Sequence, residues 1–180
     1  MRRRDLLGGV AAATTVATAG CTGLVRSLTG DGEADSAAVP VETVDAPGST
    51  AGTTTVPESG RVTFVEFFAT TCPVCASQMS VVGDAYDRVG GSVQFLSVTS
   101  EPVGLSVSRD EVASWWREHD GRWPVGVDDG VALAQRYDAT SVPTAVVVDP
   151  DGAVTWRHTG RTTASRIVDE VRRARDGGEP

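Results

Sequence analysis

The sequence predicts an α/β domain with a mixed central sheet and helices on both faces, on three observations. The β-rich runs "RVTFVEFF" and "VQFLSVTS" are separated by a helical pattern, the alternation that builds a parallel strand–helix–strand unit. Further on, "TAVVVD" is almost wholly apolar, as a strand covered on both faces must be. It runs straight into "PDG", a tight turn, and then "AVTWRHTG", which therefore returns as an antiparallel partner.

Each element has its own local reason. "VPVETVDAPGSTAGTTTVP" is the weakest, a short first hairpin diluted by Thr and Gly. In "CASQMSVVGDAYDRVG", Met79, Val82 and Tyr86 recur at helical spacing and Gly90-Gly91 stops the run. Ser108 and Glu111 form a capping box at the head of "RDEVASWWREHD", where hydroxyl and carboxylate satisfy free backbone N–H groups reciprocally. "WPVGV" reads as a short strand and "DGVALAQRYD" as a helix; "TASRIVDEVRRAR" closes the chain as an amphipathic helix.

Composition narrows the partners. Of 180 residues, 16 are basic and 24 acidic, for a net charge of −8, and every basic residue is Arg. No basic stripe is available for nucleic acid. An acidic, lysine-free surface suits high salt, which screens carboxylate repulsion. The N-terminus reads as an address. Arg3-Arg4-Asp5-Leu6-Leu7 has the twin-arginine pattern of an export signal, and residues 6–20 are uncharged but too few to span a bilayer securely. Residues 1–20 are thus expected to be a signal peptide. Thr18-Ala19-Gly20-Cys21 resembles a lipobox, making Cys21 a lipidation site despite Thr18 in a usually aliphatic position. Polar residues 22–38 follow as a flexible tether. The domain is placed at 39–176, with its core at 60–175 and a frayed end at 177–180. The expected location is outside the cytoplasm, on the outer face of the cytoplasmic membrane.

Two cysteines remain, in "TTCPVCAS". Outside the cytoplasm no glutathione pool keeps thiols reduced, and a lipidated Cys21 leaves Cys72 and Cys75 to each other. Three chemistries compete for the pair. Structural zinc wants about four ligands, and the two histidines, His119 and His158, stand far apart. A purely structural disulfide across so short a loop would remove little chain entropy. A C-x-x-C pair between a strand and a helix favours redox exchange. There Cys72 sits at the helix N-terminus, where free N–H groups favour a thiolate, and Pro73 takes a position whose missing N–H costs nothing. Cys75, one turn in, can attack a mixed disulfide formed at Cys72. Cys72 is therefore the expected nucleophile and Cys75 the resolving thiol, with no metal and no cofactor.

"FVEFFATTCPVCASQM" and "TSVPTAVVVDPDG", with the element between them, resemble the TlpA/ResA-like branch of the thioredoxin superfamily over residues 60 to about 175. The resemblance implies a thioredoxin-like three-layer sandwich, with residues 109–127 as that branch's helix–strand insertion. It implies a membrane-tethered thiol–disulfide oxidoreductase, acting on protein disulfides or apocytochrome thiols and served by a membrane electron donor or acceptor. The molecule is expected to be a monomer. Val-Pro before an apolar strand is by itself only a strand-start proline, trans by default. The family pattern makes Pro143 cis and facing the cysteines, with Val142 offering its backbone to an extended client.

Glu66 is the remaining carboxylate of interest, alone among Val, Phe and Thr. In a central strand it loses hydration and its pKa rises, which suits it to proton traffic; its position also matches the buried acid of thioredoxins, which exchanges a proton with the second cysteine. Thr71 departs from the pattern, since family members commonly carry Trp there. The client-facing surface is accordingly expected from Thr71, Pro73, Val74, Val142 and Pro143, with a less hydrophobic groove. Trp115, Trp116, Trp123 and Trp156 are expected in the core or groove wall, and His158 exposed on a strand. The rival reading is a thioredoxin-fold copper or haem-assembly chaperone using the cysteines as ligands, although copper chaperones of this fold prefer C-x-x-x-C. A peroxidase would want Thr where Ala69 stands.

Overall fold

The computed structural model describes residues 38–177; the signal, the lipobox Cys21 and most of the tether lie outside them. Its elements are β1 (Val39–Thr43), β2 (Gly52–Val56), β3 (Thr63–Phe68), α1 (Pro73–Val89), β4 (Gln94–Thr99), α2 (Arg109–Glu118), β5 (Val125–Val127), α3 (Ala132–Arg136), β6 (Thr144–Val148), β7 (Val154–Thr159) and α4 (Ala164–Arg175). The strands form one sheet in the order β2-β1-β5-β4-β3-β6-β7. β3 runs parallel to β4, and β4 to β5, while β6 and β7 are antiparallel.

All six residues of β3 are buried, because the strand is central and covered on both faces. Alternation divides them. Phe64 and Phe68 join α1, α2 and α4 in one core, whereas Val65 and Phe67 join Leu133 and Tyr137, in and just after α3, in the other. That is a three-layer arrangement. The helix–strand addition belongs to the first core: α2 contributes Trp116 and the chain before β5 contributes Trp123, both 0% exposed, with ring centroids 4.8 Å apart. Each such aromatic buries about 150–250 Å², worth about 4–6 kcal/mol at about 25 cal/mol per Å². The addition is thus structural cement, not an appendage.

Local signals act as their chemistry requires. Ser108 and Glu111 complete the capping box of α2, and the Gly90 N–H closes α1 on the Tyr86 carbonyl. The β1–β2 hairpin forms and pairs with β5. Its turn needs Gly48, at φ 75°, because a Cβ there would sit 2.0 Å from the Arg122 backbone. Gln94 ties this hairpin down by donating to the Thr55 carbonyl while accepting from the Glu58 N–H. None of the helices among the described residues is long and apolar enough to cross a membrane.

Three details differ from the sequence reading. α3 is only five residues long, because Val131 turns left-handed at φ 56° and the buried Asp128 carboxylate captures the N–H groups of Leu133 and Ala134. The Val56–Pro57 bond is cis as well as Val142–Pro143. His158 is half-buried instead of exposed, since its ring stacks on Trp156 and its Nε2 meets the Arg161 carbonyl at 2.8 Å.

Candidate active site

The site begins where β3 ends. After Phe68 the chain turns through Ala69–Thr71, and Cys72 becomes the N-cap of α1 with extended backbone at φ −96°, ψ 106°. Pro73 takes the first helical turn, where its lack of an N–H is harmless. The Cys75 N–H donates to the Cys72 Sγ at 3.0 Å, so a helix-terminal donor is aimed at that sulfur. Together with the helix dipole, this stabilises a Cys72 thiolate. The two cysteines are joined in a disulfide, with Cα atoms 5.2 Å apart. Cys72 is half-buried, whereas Cys75 is 2% exposed. Cys72 is the more accessible of the two.

Glu66 lies on the same sheet face as Phe64 and Phe68, the face that receives Cys75 and Met79. It is 4% exposed and, among the described residues, its Oε2 has no hydrogen-bond partner. The neighbours explain why. On β4 its register partner is Ser97, whose hydroxyl accepts from the Trp123 indole N–H at 2.8 Å. On β6 it is Ala145, whose side chain has no polar atom. Burial therefore pushes the Glu66 carboxyl up to about 8.

Register brings Pro143 to this end of the sheet: Thr144 pairs with Phe67, so the cis proline stands beside the last residue of β3. Its carbonyl accepts from the Gly160 N–H at 2.8 Å, which ties β7 to the same edge. Around the cysteines Thr71 and Pro73 are exposed, Val74 is 38% exposed and Val142 39%. Next to Val142 opens a cavity of about 380 Å³ whose walls include Phe67, Ala69, Glu101 and Pro102. Trp115, on α2, stacks its ring on Phe68, the last residue of β3, at 4.9 Å. Trp156, within β7, is half-buried, and Trp116 and Trp123 are core. The histidines stay with aromatic neighbours, His119 on Trp115 and His158 on Trp156.

Sequence reasoning passed over Glu101. Its carboxylate accepts from the Thr70 N–H at 2.7 Å, the Thr70 hydroxyl at 3.0 Å and the Thr99 hydroxyl at 3.0 Å. It thereby clamps the loop that delivers Cys72. The available signal was an acid two residues beyond β4, which pairs with β3, the strand leading into the cysteine loop. Glu101→Ala is expected to lower stability by roughly 1–3 kcal/mol, the range for charge-assisted hydrogen bonds. Amide exchange should accelerate at Thr70 and Thr71 while α4 keeps its protection, and unchanged exchange at Thr70 would deny the clamp.

The Redoxin family model matches the sequence over residues 33–174. The "Mercury resistance operon ORF3" protein of Streptomyces lividans is 30% identical, over 60% of this chain and 57% of its own. "Thiol-disulfide oxidoreductase ResA" of Bacillus subtilis (strain 168) is 25% identical, over 66% of this chain and 64% of its own. The alignments thus span less than two thirds of these relatives' lengths. Among solved structures, the pneumococcal exposed lipoprotein thioredoxin Etrx1 of Streptococcus pneumoniae superposes with a TM-score of 0.64 at 22% identity, over 76% of this chain and 98% of that one, which identifies the fold as thioredoxin-like. By the extent of the family match, the chain belongs to the Redoxin family.

Proposed function

We propose that the protein is a thiol–disulfide oxidoreductase that passes electrons from Cys72 and Cys75 to disulfides of client proteins. The observation that carries this reading is the asymmetry of the pair: a half-buried Cys72 whose Sγ has a backbone donor at 3.0 Å, and a Cys75 that is 2% exposed. In the forward cycle the Cys72 thiolate attacks one client sulfur, forms a mixed disulfide and expels the other client sulfur as a thiolate. Cys75 then loses its proton to Glu66 and attacks the Cys72 Sγ. That step forms the Cys72–Cys75 disulfide and frees the second client thiolate. Two electrons leave the protein, and two protons end on the client thiols. Val142 and the cis Pro143 hold the client strand in extended form beside Thr71, Pro73 and Val74.

An exchange assay tests this reading. Catalytic amounts of the protein should accelerate dithiothreitol-driven reduction of insulin, and Cys72→Ser should bring the rate to background. Tight binding of one Cu(I) with no acceleration of insulin reduction would favour the metal-chaperone reading instead.

The place of action follows from the N-terminal address. The protein works outside the cytoplasm, exported by the twin-arginine signal and held on the membrane by a lipid at Cys21, with residues 22–38 as tether and a membrane dithiol as electron source. Cys21→Ser should move the protein from the membrane fraction to the soluble fraction or stop its maturation. Unchanged membrane association would remove the lipid from the account.

A further inference from the structure

Arg161, in the short connection from β7 to α4, lies at the rim of the cysteine site and takes no part in the cycle above. Its guanidinium donates to the Ser77 hydroxyl at 2.8 Å, and that hydroxyl donates in turn to the Val74 carbonyl at 2.8 Å. Two hydrogen bonds thus separate a fixed positive charge from the dipeptide between the cysteines. The backbone is pinned from both sides. The preceding Gly160 N–H donates to the Pro143 carbonyl at 2.8 Å, and the Arg161 carbonyl meets the His158 Nε2. The following Thr162 N–H reaches the buried Gln78 Oε1 at 3.4 Å. A client strand lying against Val142 and Pro143 therefore passes an arginine whose position the fold has set.

The charge is also unspent. Arg61, Arg109, Arg122, Arg157, Arg166 and Arg173 each pair with a carboxylate. Arg175 pairs with Asp176 as well, whereas Arg161, like the exposed Arg88, Arg117 and Arg172, forms no ion pair among the described residues. In a chain of net charge −8, the general field repels acidic clients. A cation two hydrogen bonds from the dipeptide between the cysteines creates a local exception.

We propose that Arg161 is a specificity-determining residue, selecting client segments with an acidic side chain close to the disulfide-bonded cysteine. This rests on the thiol–disulfide exchange reading above. The chemistry of exchange is unchanged: Cys72 attacks, Cys75 resolves, and two electrons and two protons pass to the peptide sulfurs. Arg161 contributes an ion pair at the rim, which acts chiefly on encounter and weakens with salt.

The probes are three symmetric peptide disulfides that differ only in the residues flanking cysteine: Glu, Gln or Arg. Each kcat/KM is divided by the rate of that peptide's reduction by a small neutral thiol, which removes intrinsic reactivity. At low ionic strength the full chain should prefer the Glu peptide over the Arg peptide by about 3- to 10-fold, and about 0.5 M salt should erase the preference. Arg161→Lys should keep most of it, Arg161→Gln should lose it, and Arg161→Glu should reverse it. All three variants should reduce the Gln peptide within about 3-fold of wild type. Loss of the same factor on every peptide in Arg161→Gln would overturn the proposal, placing the charge on Cys72 instead of the client. An unchanged preference in Arg161→Glu would overturn it too. Failure of the wild-type chain to reduce any of the peptides would instead strike the exchange reading on which the proposal rests.

Discussion

Cys75→Ser is expected to stop turnover and to hold clients on the protein as mixed disulfides through Cys72. In the proposed cycle the buried cysteine is the thiol that releases the client, so without it the first half-reaction completes and the second cannot. Insulin reduction should fall by at least about 10³-fold, while one equivalent of client becomes bound through a reducible bond. Cys72→Ser should be equally inactive in turnover yet trap nothing, because Cys75 is 2% exposed and cannot be approached. Mass spectrometry of non-reduced adducts distinguishes the two. Adducts on Cys72→Ser, with none on Cys75→Ser, would invert the roles.

Glu66→Gln should slow resolution by roughly 10- to 100-fold, the lower part of the general-base range because water can substitute. With its carboxyl pushed up to about 8 by burial, Glu66 is mostly protonated at neutral pH and becomes an effective base as pH rises. The wild-type resolving rate should therefore climb through pH 8, and the variant should lack that limb. Attack by Cys72, measured separately in the Cys75→Ser background, should change little. Stability moves with the opposite sign. The folded pKa lies above the unfolded value, so the folded state binds this proton more tightly. No penalty exists below about pH 4.5; it grows as pH rises and is complete above about 8. Glu66→Gln removes it and should exceed wild type in stability by a few kcal/mol, roughly, at alkaline pH. A variant with the wild-type pH–rate profile would send the Cys75 proton elsewhere.

The site was legible where its signals are local. Cys72, Pro73 and Cys75 lie within four residues and declare a helix start, and Ser108 and Glu111 declare another. Glu66 was legible by contrast, one carboxylate in an apolar strand. Glu101 and Arg161 were not, because their partners are distant in sequence: Thr70 lies 31 residues from Glu101, and Ser77 84 residues from Arg161. Nothing in either segment alone indicates that the fold will bring them to the cysteine loop. The short α3 failed for a related reason. Its apolar spacing promised a longer helix, but the Asp128 side chain supplies its N-terminal acceptors and fixes where it starts. His158 was misplaced because Trp156, two residues earlier on the same face of β7, stacks on its ring and shields it.

The reduction potential of the Cys72–Cys75 couple, measured by equilibration with defined thiol–disulfide buffers, tests the central claim most directly. Stabilising the Cys72 thiolate favours the dithiol and raises the potential, so a reductase can tolerate only moderate stabilisation. The account predicts a single two-electron couple at about −200 mV or lower, toward the thioredoxin value of about −270 mV. A couple near −120 mV, the range of strong oxidants, or cysteines that do not equilibrate with the buffers, would contradict it.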